Sequence, residues 1–278
     1  MKTNSNMKKI FIPCLLFIAF ISNACFQAKP ENHTDLKNEG KIDTRIKEID
    51  IWHLGTSSWL IQTENHLIVF DYTENSEIQD LNHGNITDSI IKNKDILVFV
   101  SHPHGDHYDQ TIFKWEKSAK SIKYIFGWNE KQGENYINLI AGDNLISDSI
   151  KIFTAEADHS IDQKNAGVAF LVEVDGFTFY HSGDHGHFRK ELIPIYTKSI
   201  DSLATKTSNI DIAFVYAKFW DGIYYTSDKL LPKQLFPQHQ GLEQYNQFKN
   251  EAQIKRPQLN VKCAKLGQHF HYKQEYEK

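Results

Sequence analysis

Between positions 101 and 107 the chain reads Ser-His-Pro-His-Gly-Asp-His. Neutral imidazole is the commonest zinc ligand among side chains, and a carboxylate beside it can bind metal or take a proton. Pro103 and Gly105 keep the segment out of sheet and helix, so His102, His104, Asp106 and His107 can converge from one short loop. A surface polar loop or a tag remnant would show a similar composition. The difference lies in position, because the string follows directly on the apolar run Asp95–Val100 (DILVFV). The chemistry such a cluster supports is activation of water by a divalent cation.

Those side chains need a rigid frame. DILVFV has the pattern of a strand buried on both faces. Upstream, Ile49–Leu54, Ser58–Gln62 and His66–Tyr72 have strand character, with a turn at 63–65. Downstream, the pattern predicts a helix over Asp109–Lys117, a strand over Ile122–Phe126, a helical stretch near 129–140 and a strand over Ile150–Ala155. Val168–Val174 and Phe177–His181 flank Asp175-Gly176, a strong hairpin signal. A helix over 188–205, a buried strand over Ile210–Ala217 and a helix over Leu242–Ala252 follow, and no internal repeat is visible. Runs of strands interrupted by single helices predict an α/β (α+β) fold, a four-layer αββα sandwich of two mixed sheets with helices outside.

The HxHxDH string, His102, His104, Asp106 and His107, resembles the signature of the metallo-β-lactamase superfamily of hydrolases. The resemblance implies further ligands at later strand ends, and His159 in AEADHS, Asp184 in FYHSGDHG and His239 in LFPQHQG stand in the expected order. It implies His102, His104 and His159 on a first ion, Asp106, His107 and His239 on a second, and Asp184 bridging the two. Asp71 would accept an N–H from a ligand histidine and so fix its tautomer. The implied cofactors are two divalent ions, with Zn2+ suiting the imidazoles and Mn2+ or Fe2+ tolerated by the two carboxylates.

Residues 53–72 (HLGTSSWLIQTENHLIVFDY) are similar to the opening of the branch that includes the ascorbate-phosphate lactonases and the phospholipase D acting on N-acyl phosphatidylethanolamines. The likeness runs from about 49 to 241. Thr56 departs from it, since relatives often have His there, and so does the short proline-bearing stretch between Tyr225 and His239, where they place a longer helix and strand. The activity implied is hydrolysis of an ester, lactone or phosphodiester by a hydroxide held on the dinuclear centre, with Asp106 and His185 as catalytic groups handling protons. Two alternatives stay open: a non-catalytic metal-binding surface lipoprotein, and a β-lactam hydrolase of the same fold, although no Cys stands at a ligand position.

The remaining histidines divide by place. His181 and His187 crowd the Asp184 loop, His53 and His66 lie on early strands with structural roles, and His269 and His271 alternate along one face of a final strand. The aromatics Tyr216, Phe219, Trp220, Tyr224 and Tyr225, together with Trp59, either pack beneath a loop or form an apolar wall for a substrate ring or acyl group.

With 278 residues, 40% hydrophobic, 13% aromatic and 24% charged, the chain is too apolar to be disordered. Lys8 and Lys9 precede an apolar run, Ile10–Ile21, which ends in Ser22, Asn23, Ala24 and Cys25. That order is the pattern of an export signal and resembles a bacterial lipoprotein signal, with Ser22 where a leucine is commonest. The expected organisation is a signal peptide over 1–24, a tether over 25–46 lipidated at Cys25, and a hydrolase domain over 47–278. The protein would then be exported and anchored to a membrane by lipid alone, facing the periplasm or the cell surface, with a secreted soluble form as the alternative. Removing residues 1–24 takes three lysines and no acid from a chain of 31 basic and 35 acidic residues, which leaves a charge of −7. Such a body repels polyanions, so the expected partner is a small-molecule or lipid substrate and not nucleic acid. Cys263 is left without an intrachain partner and is expected to pack as a small apolar side chain.

Overall fold

Strands β1 (Glu48–Gly55), β2 (Ser58–Gln62) and β3 (His66–Phe70) form an antiparallel meander, and β4 (Asp95–Val100), β5 (Ser121–Phe126) and β6 (Tyr136–Asn138) add to β3 in parallel. A second sheet holds β7 (Asn144–Ile146), β8 (Ile150–Glu156), β9 (Val168–Val174) and β10 (Phe177–His181) in antiparallel order, then β11 (Ile212–Tyr216) and β12 (Gln234–Gln238) in parallel. β13 (His269–Lys273) returns to pair with β1. The sheet orders are β13-β1-β2-β3-β4-β5-β6 and β12-β11-β10-β9-β8-β7. The computed structural model describes residues 47–147, 149–157, 167–186 and 191–274, all within the unit Arg45–Lys278. The expected signal, tether and Cys25 lie outside the described residues.

The two sheets meet through large side chains with almost no exposure, among them Trp59, Phe70, Phe99, Phe170, Phe179, Phe214 and Phe236. Each buried side chain of this kind stabilises the fold by about 1.5–3 kcal/mol, so this layer is the main adhesive. Helices α2 (Ile193–Ala204), α3 (Trp220–Leu230) and α4 (Leu242–Lys255) cover the outer face of the second sheet through Tyr196, Ile200, Ile223, Tyr245 and Phe248. The outer face of the first sheet carries a thinner layer: the short helix α1 (Asp88–Ile91) and a 3-10 helix, Gln110–Lys117, which contributes Ile112 and Trp115. The αββα order expected from the sequence is therefore the observed one. Among the described residues no helix is long and apolar enough to cross a membrane.

Two local expectations need correction. Residues 129–140 contain no helix; Gly133 takes φ 152°, and Tyr136–Asn138 pairs with β5, where Tyr136 stacks on Tyr124 at 5.3 Å. The short stretch between Tyr225 and His239 holds the end of α3 and all of β12, with Pro237 inside that strand. β3 ends at Phe70 and not Tyr72, because Asp71 turns to φ 45°. Cys263 is half-buried and packs against the outer core of the second sheet.

The far end of the sandwich from the His-rich loop is stapled by the Asp175-Gly176 turn. The Asp175 carboxylate accepts from Thr63 Oγ1, from Asn65 Nδ2 at 3.0 Å and from His66 Nδ1 at 2.9 Å, tying the β9–β10 hairpin of one sheet to the β2–β3 hairpin of the other. Both turn residues have positive φ, 52° and 80°, as a two-residue hairpin requires. His66 is thus structural, as expected.

Candidate metal centre

Parallel strands end on a common edge, and the described members of the expected ligand set stand at or just beyond those ends. β4 delivers Ser101 and the 102–107 loop, β10 delivers Asp184, β12 delivers His239, and β3 delivers Asp71. The loops from the two sheets approach so closely that a Cβ on Gly183 would sit 2.7 Å from Ser101 Cβ, and Gly183 itself has φ 51°. Only glycine fits there. His239 (φ 66°) and Thr56 (φ 44°) also occupy the left-handed region, which is rare for a β-branched residue, and the His239 N–H donates to the Thr56 carbonyl at 2.9 Å. Thr56, the departure noted in the sequence, therefore places His239 through its backbone.

The Asp184 carboxylate is the hub. Its Oδ1 lies 3.1 Å from both His107 Nε2 and His239 Nε2, while Oδ2 lies 3.8 Å from His102 Nε2. Asp106 Oδ2 stands 3.1 Å from His239 Nε2 and 3.8 Å from His107 Nε2. His104 Nδ1 is 3.1 Å from His102 Nε2. Two groups are spaced to hold an ion: His102, His107 and Asp184, and Asp106, His107 and His239. The second group has the membership expected for the second ion, and the two oxygens of Asp184 face different imidazoles, as a bridging carboxylate does.

These atoms fit divalent ions on an observation independent of any family. His107 Nε2, Asp184 Oδ1 and His239 Nε2 are buried and have no hydrogen-bond partner, although they face one another at contact distance. Buried polar atoms left in this state are costly, and a cation among them removes the cost. The electrostatics agree. Burial pushes the His107 imidazolium pKa down, but the carboxylates of Asp71 and Asp184 outweigh it and hold it up at about 10. Burial alone raises the Asp184 carboxyl, and His107, His239 and His102 pull it well below the usual carboxylate range. The pocket demands positive charge.

Asp71 lies behind the 102–107 loop. It is fully buried and accepts three hydrogen bonds of 2.7 Å, from Ser101 N, Ser101 Oγ and His107 Nδ1. Ser101 Oγ is in turn 3.0 Å from His102 Nδ1, so one carboxylate orients both imidazoles with Nε2 toward the cleft. Ser58 Oγ donates to the Asp71 carbonyl and holds the turn. Ser58, Ser101 and Gln238 were missed in the sequence. Gln238 accepts from Trp59 Nε1 at 2.9 Å and approaches Ser182 Oγ and the Gly183 carbonyl at 3.3 Å, locking β12 to the Asp184 loop. The only sequence signal for Ser101 is its adjacency to the motif; Ser58 and Gln238 had none.

Not every expected residue joins this convergence. His159 and His187 lie outside the described residues. His185 is buried, with Nδ1 3.1 Å from the Tyr180 hydroxyl and its ring 4.4 Å from Tyr196; burial drives its pKa down to about 3. His181 is also buried and its pKa is lowered by burial; its Nε2 donates to the Ser57 carbonyl and its ring stacks on Phe70. His53 is buried against Trp59. Of the aromatic cluster, Tyr216 borders the centre, 5.1 Å from the His239 ring. Phe219 packs on Tyr196, and Trp220 and Tyr224 pack on Phe248, seating α3 among its neighbours. Tyr225 donates to Asp201, and Trp59 belongs to the inter-sheet core.

Known proteins agree with this architecture. A metal-dependent hydrolase of Nitratidesulfovibrio vulgaris is 31% identical over 102 residues, 33% of this chain and 42% of that protein. The chain thus spans less than half the length of this curated relative. Among solved structures, a metallo hydrolase of the archaeon Ignicoccus hospitalis superposes with a TM-score of 0.60 at 18% identity, covering 83% of this chain and 100% of that one. A diiron β-hydroxylase of Streptomyces venezuelae superposes with a TM-score of 0.57 at 10% identity over 84% of this chain and 55% of its own. At these identities the likeness is one of fold, and one fold carries more than one chemistry. Residues 50–218, which include every described ligand except His239, match the family described as the β-lactamase superfamily domain, and the chain belongs to that family.

Proposed function

We propose that the protein is a hydrolase whose cleft holds two divalent ions, zinc by the chemistry of the donors, and acts on an ester, lactone or phosphodiester in a small molecule or lipid. The observation that carries this reading is the Asp184 carboxylate, which presents one oxygen to His107 and His239 and the other to His102. His102 and His104, with His159 as their expected third partner, would hold one ion; Asp106, His107 and His239 would hold the other. When bound, the ions supply Lewis acidity and an acidified water. Asp106 is the only described ligand carboxylate with half its side chain in solvent, so it is placed to take a proton at the cleft mouth. His185, neutral through burial, retains a hydrogen-bonding role, and its Nε2 has no partner among the described residues. Tyr216 supplies an apolar edge beside His239 for the substrate. In this reading the domain works outside the cytoplasm on a lipid anchor at Cys25.

The test is elemental analysis of metal-replete protein together with a panel of lactones, phosphodiesters and β-lactams, on the wild type and Asp184→Asn. At least two ions per chain in the wild type, with one of them and most of the turnover lost in the variant, is the expected result. No more than one ion in the wild type, or a variant that keeps both ions and the full rate, overturns the two-ion reading. A wild type that holds both ions and hydrolyses nothing on the panel overturns the catalytic one.

A further inference from the structure

Gln238 stands one residue before His239, and its side chain reaches the residue before Asp184. The amide is fully buried at the end of β12. Its Oε1 accepts from Trp59 Nε1 at 2.9 Å, and its Nε2 donates to the Gly183 carbonyl and to Ser182 Oγ, each at 3.3 Å. An indole N–H can only donate and a carbonyl can only accept, so these partners fix which way the amide faces. Trp59 is itself held, since Phe214 and Phe236 pack on its ring at 4.4 and 5.0 Å.

These bonds act on two peptide groups, each of which leads into a proposed ligand. A peptide is planar, so fixing its oxygen fixes the Cα that follows. The Gly183 carbonyl accepts from Gln238 and, at 2.8 Å, from Ser182 Oγ, which sets the position of Asp184. Ser182 Oγ accepts in turn from Tyr216 N at 2.9 Å and so belongs to the frame of β11. The peptide between Gln238 and His239 is tied at both ends: the Gln238 carbonyl accepts from Ala217 N at 3.0 Å, and His239 N donates to the Thr56 carbonyl at 2.9 Å. The Gln238 side chain joins the two peptides across 55 positions of sequence, and Asp184 Oδ1 stands 3.1 Å from His239 Nε2.

We propose that Gln238 is the positioning residue that fixes the separation of Asp184 from His239, and that it thereby sets the affinity of the ion placed among Asp106, His107 and His239. This rests on the two-ion reading of the cleft. The other ion keeps His102 and His104, which come from the loop after β4 and owe their places to Ser101 and Asp71, so it depends on Gln238 far less.

Stepwise Zn2+ titration of the metal-stripped full chain against a competing chelator tests this, with thermal unfolding of the stripped protein alongside. Gln238→Met keeps the length of the side chain and removes both polar atoms. It is expected to weaken one ion, the one that His239→Ala removes, by about 10–100-fold, and to leave the other within about 3-fold. Trp59→Phe keeps an aromatic ring in the core and removes the indole donor; it is expected to show the same difference between the ions at smaller size, and it carries the test if Gln238→Met does not fold. A loss shared equally by both ions, as a merely looser fold would give, or unchanged affinities overturn the assignment. A wild type that takes up no more than one ion overturns the two-ion reading and this assignment with it.

Discussion

Replacing Asp71 by Asn isolates the carboxylate that stands behind the proposed ligands. Asp71 is ionised in the fold: burial raises its pKa, but the His181 and His107 imidazoles outweigh that and lower it. The variant keeps the shape, and its remaining oxygen can still accept from Ser101 N. The other position becomes an amide, a donor placed against two donors, Ser101 Oγ–H and His107 Nδ1–H, each now 2.7 Å away. Two hydrogen bonds to a charged acceptor are worth about 1.5–3 kcal/mol each, so the loss is about 3–5 kcal/mol after Ser101 rotates its hydroxyl. For a domain of this size that lowers the melting temperature by roughly 10 °C. Rotating the hydroxyl also costs His102 its acceptor, so both imidazoles lose their fixed tautomer, and Zn2+ affinity should fall by about 10–100-fold. Chelator competition and thermal unfolding measure the two effects. Ser101→Ala is the control, because it cuts the link to His102 and leaves the bond to His107. An Asp71→Asn protein that melts within about 2 °C of the wild type and binds Zn2+ equally well would refute the reasoning.

The cross-sheet staple at Asp175 gives a pH dependence. The His66 pKa is raised from 6.5, chiefly by its bond to Asp175, so its contribution is complete below 6.5 and is lost as pH rises through the folded value; Asp175 is lowered from 3.8, so its contribution is complete above 3.8 and is lost as pH falls through its own. The stability difference between wild type and His66→Ala should therefore be greatest between those two values and shrink on either side, as urea unfolding across pH 2–9 would show; a difference independent of pH would count against it. Cys25→Ser should release the protein from the membrane fraction while leaving its metal content unchanged; a wild type found wholly in the soluble fraction removes the anchor.

The fold was legible where burial on both faces or a tight turn constrained the residues. DILVFV, the Asp175-Gly176 hairpin and the strand ending at Gln62 lie where their patterns place them, because each is decided by its own residues. The failures are segments decided by neighbours. Tyr136–Asn138 takes its conformation from pairing with β5, and Gln234–Gln238 is a strand despite Pro237 because β12 lies at the sheet edge. The motif loop, Asp184 and His239 could be picked out together in the sequence, since metal-binding residue types are restricted, and the structure brings them to one cleft. The residues that orient them were not. Ser58, Ser101 and Gln238 are ordinary residue types whose importance comes from contacts across 13 to 179 positions of sequence.

The origin of the proposed ligands in two different sheets bears on how the chain would acquire a metal ion. His102, His104, Asp106 and His107 are near one another in any conformation, so an unfolded or growing chain can already hold a metal ion loosely there. Asp184 and His239 join only after β10 and β12 have docked, the latter some 130 residues further along the chain. Contacts of such long range form late in folding. An ion that binds both the unfolded and the folded chain stabilises the fold only by the difference between the two affinities. That difference would rest on Asp184 and His239, not on the number of imidazoles in the motif, so an ion held early by the local motif would gain only when β10 and β12 dock, and would then tie the two sheets together.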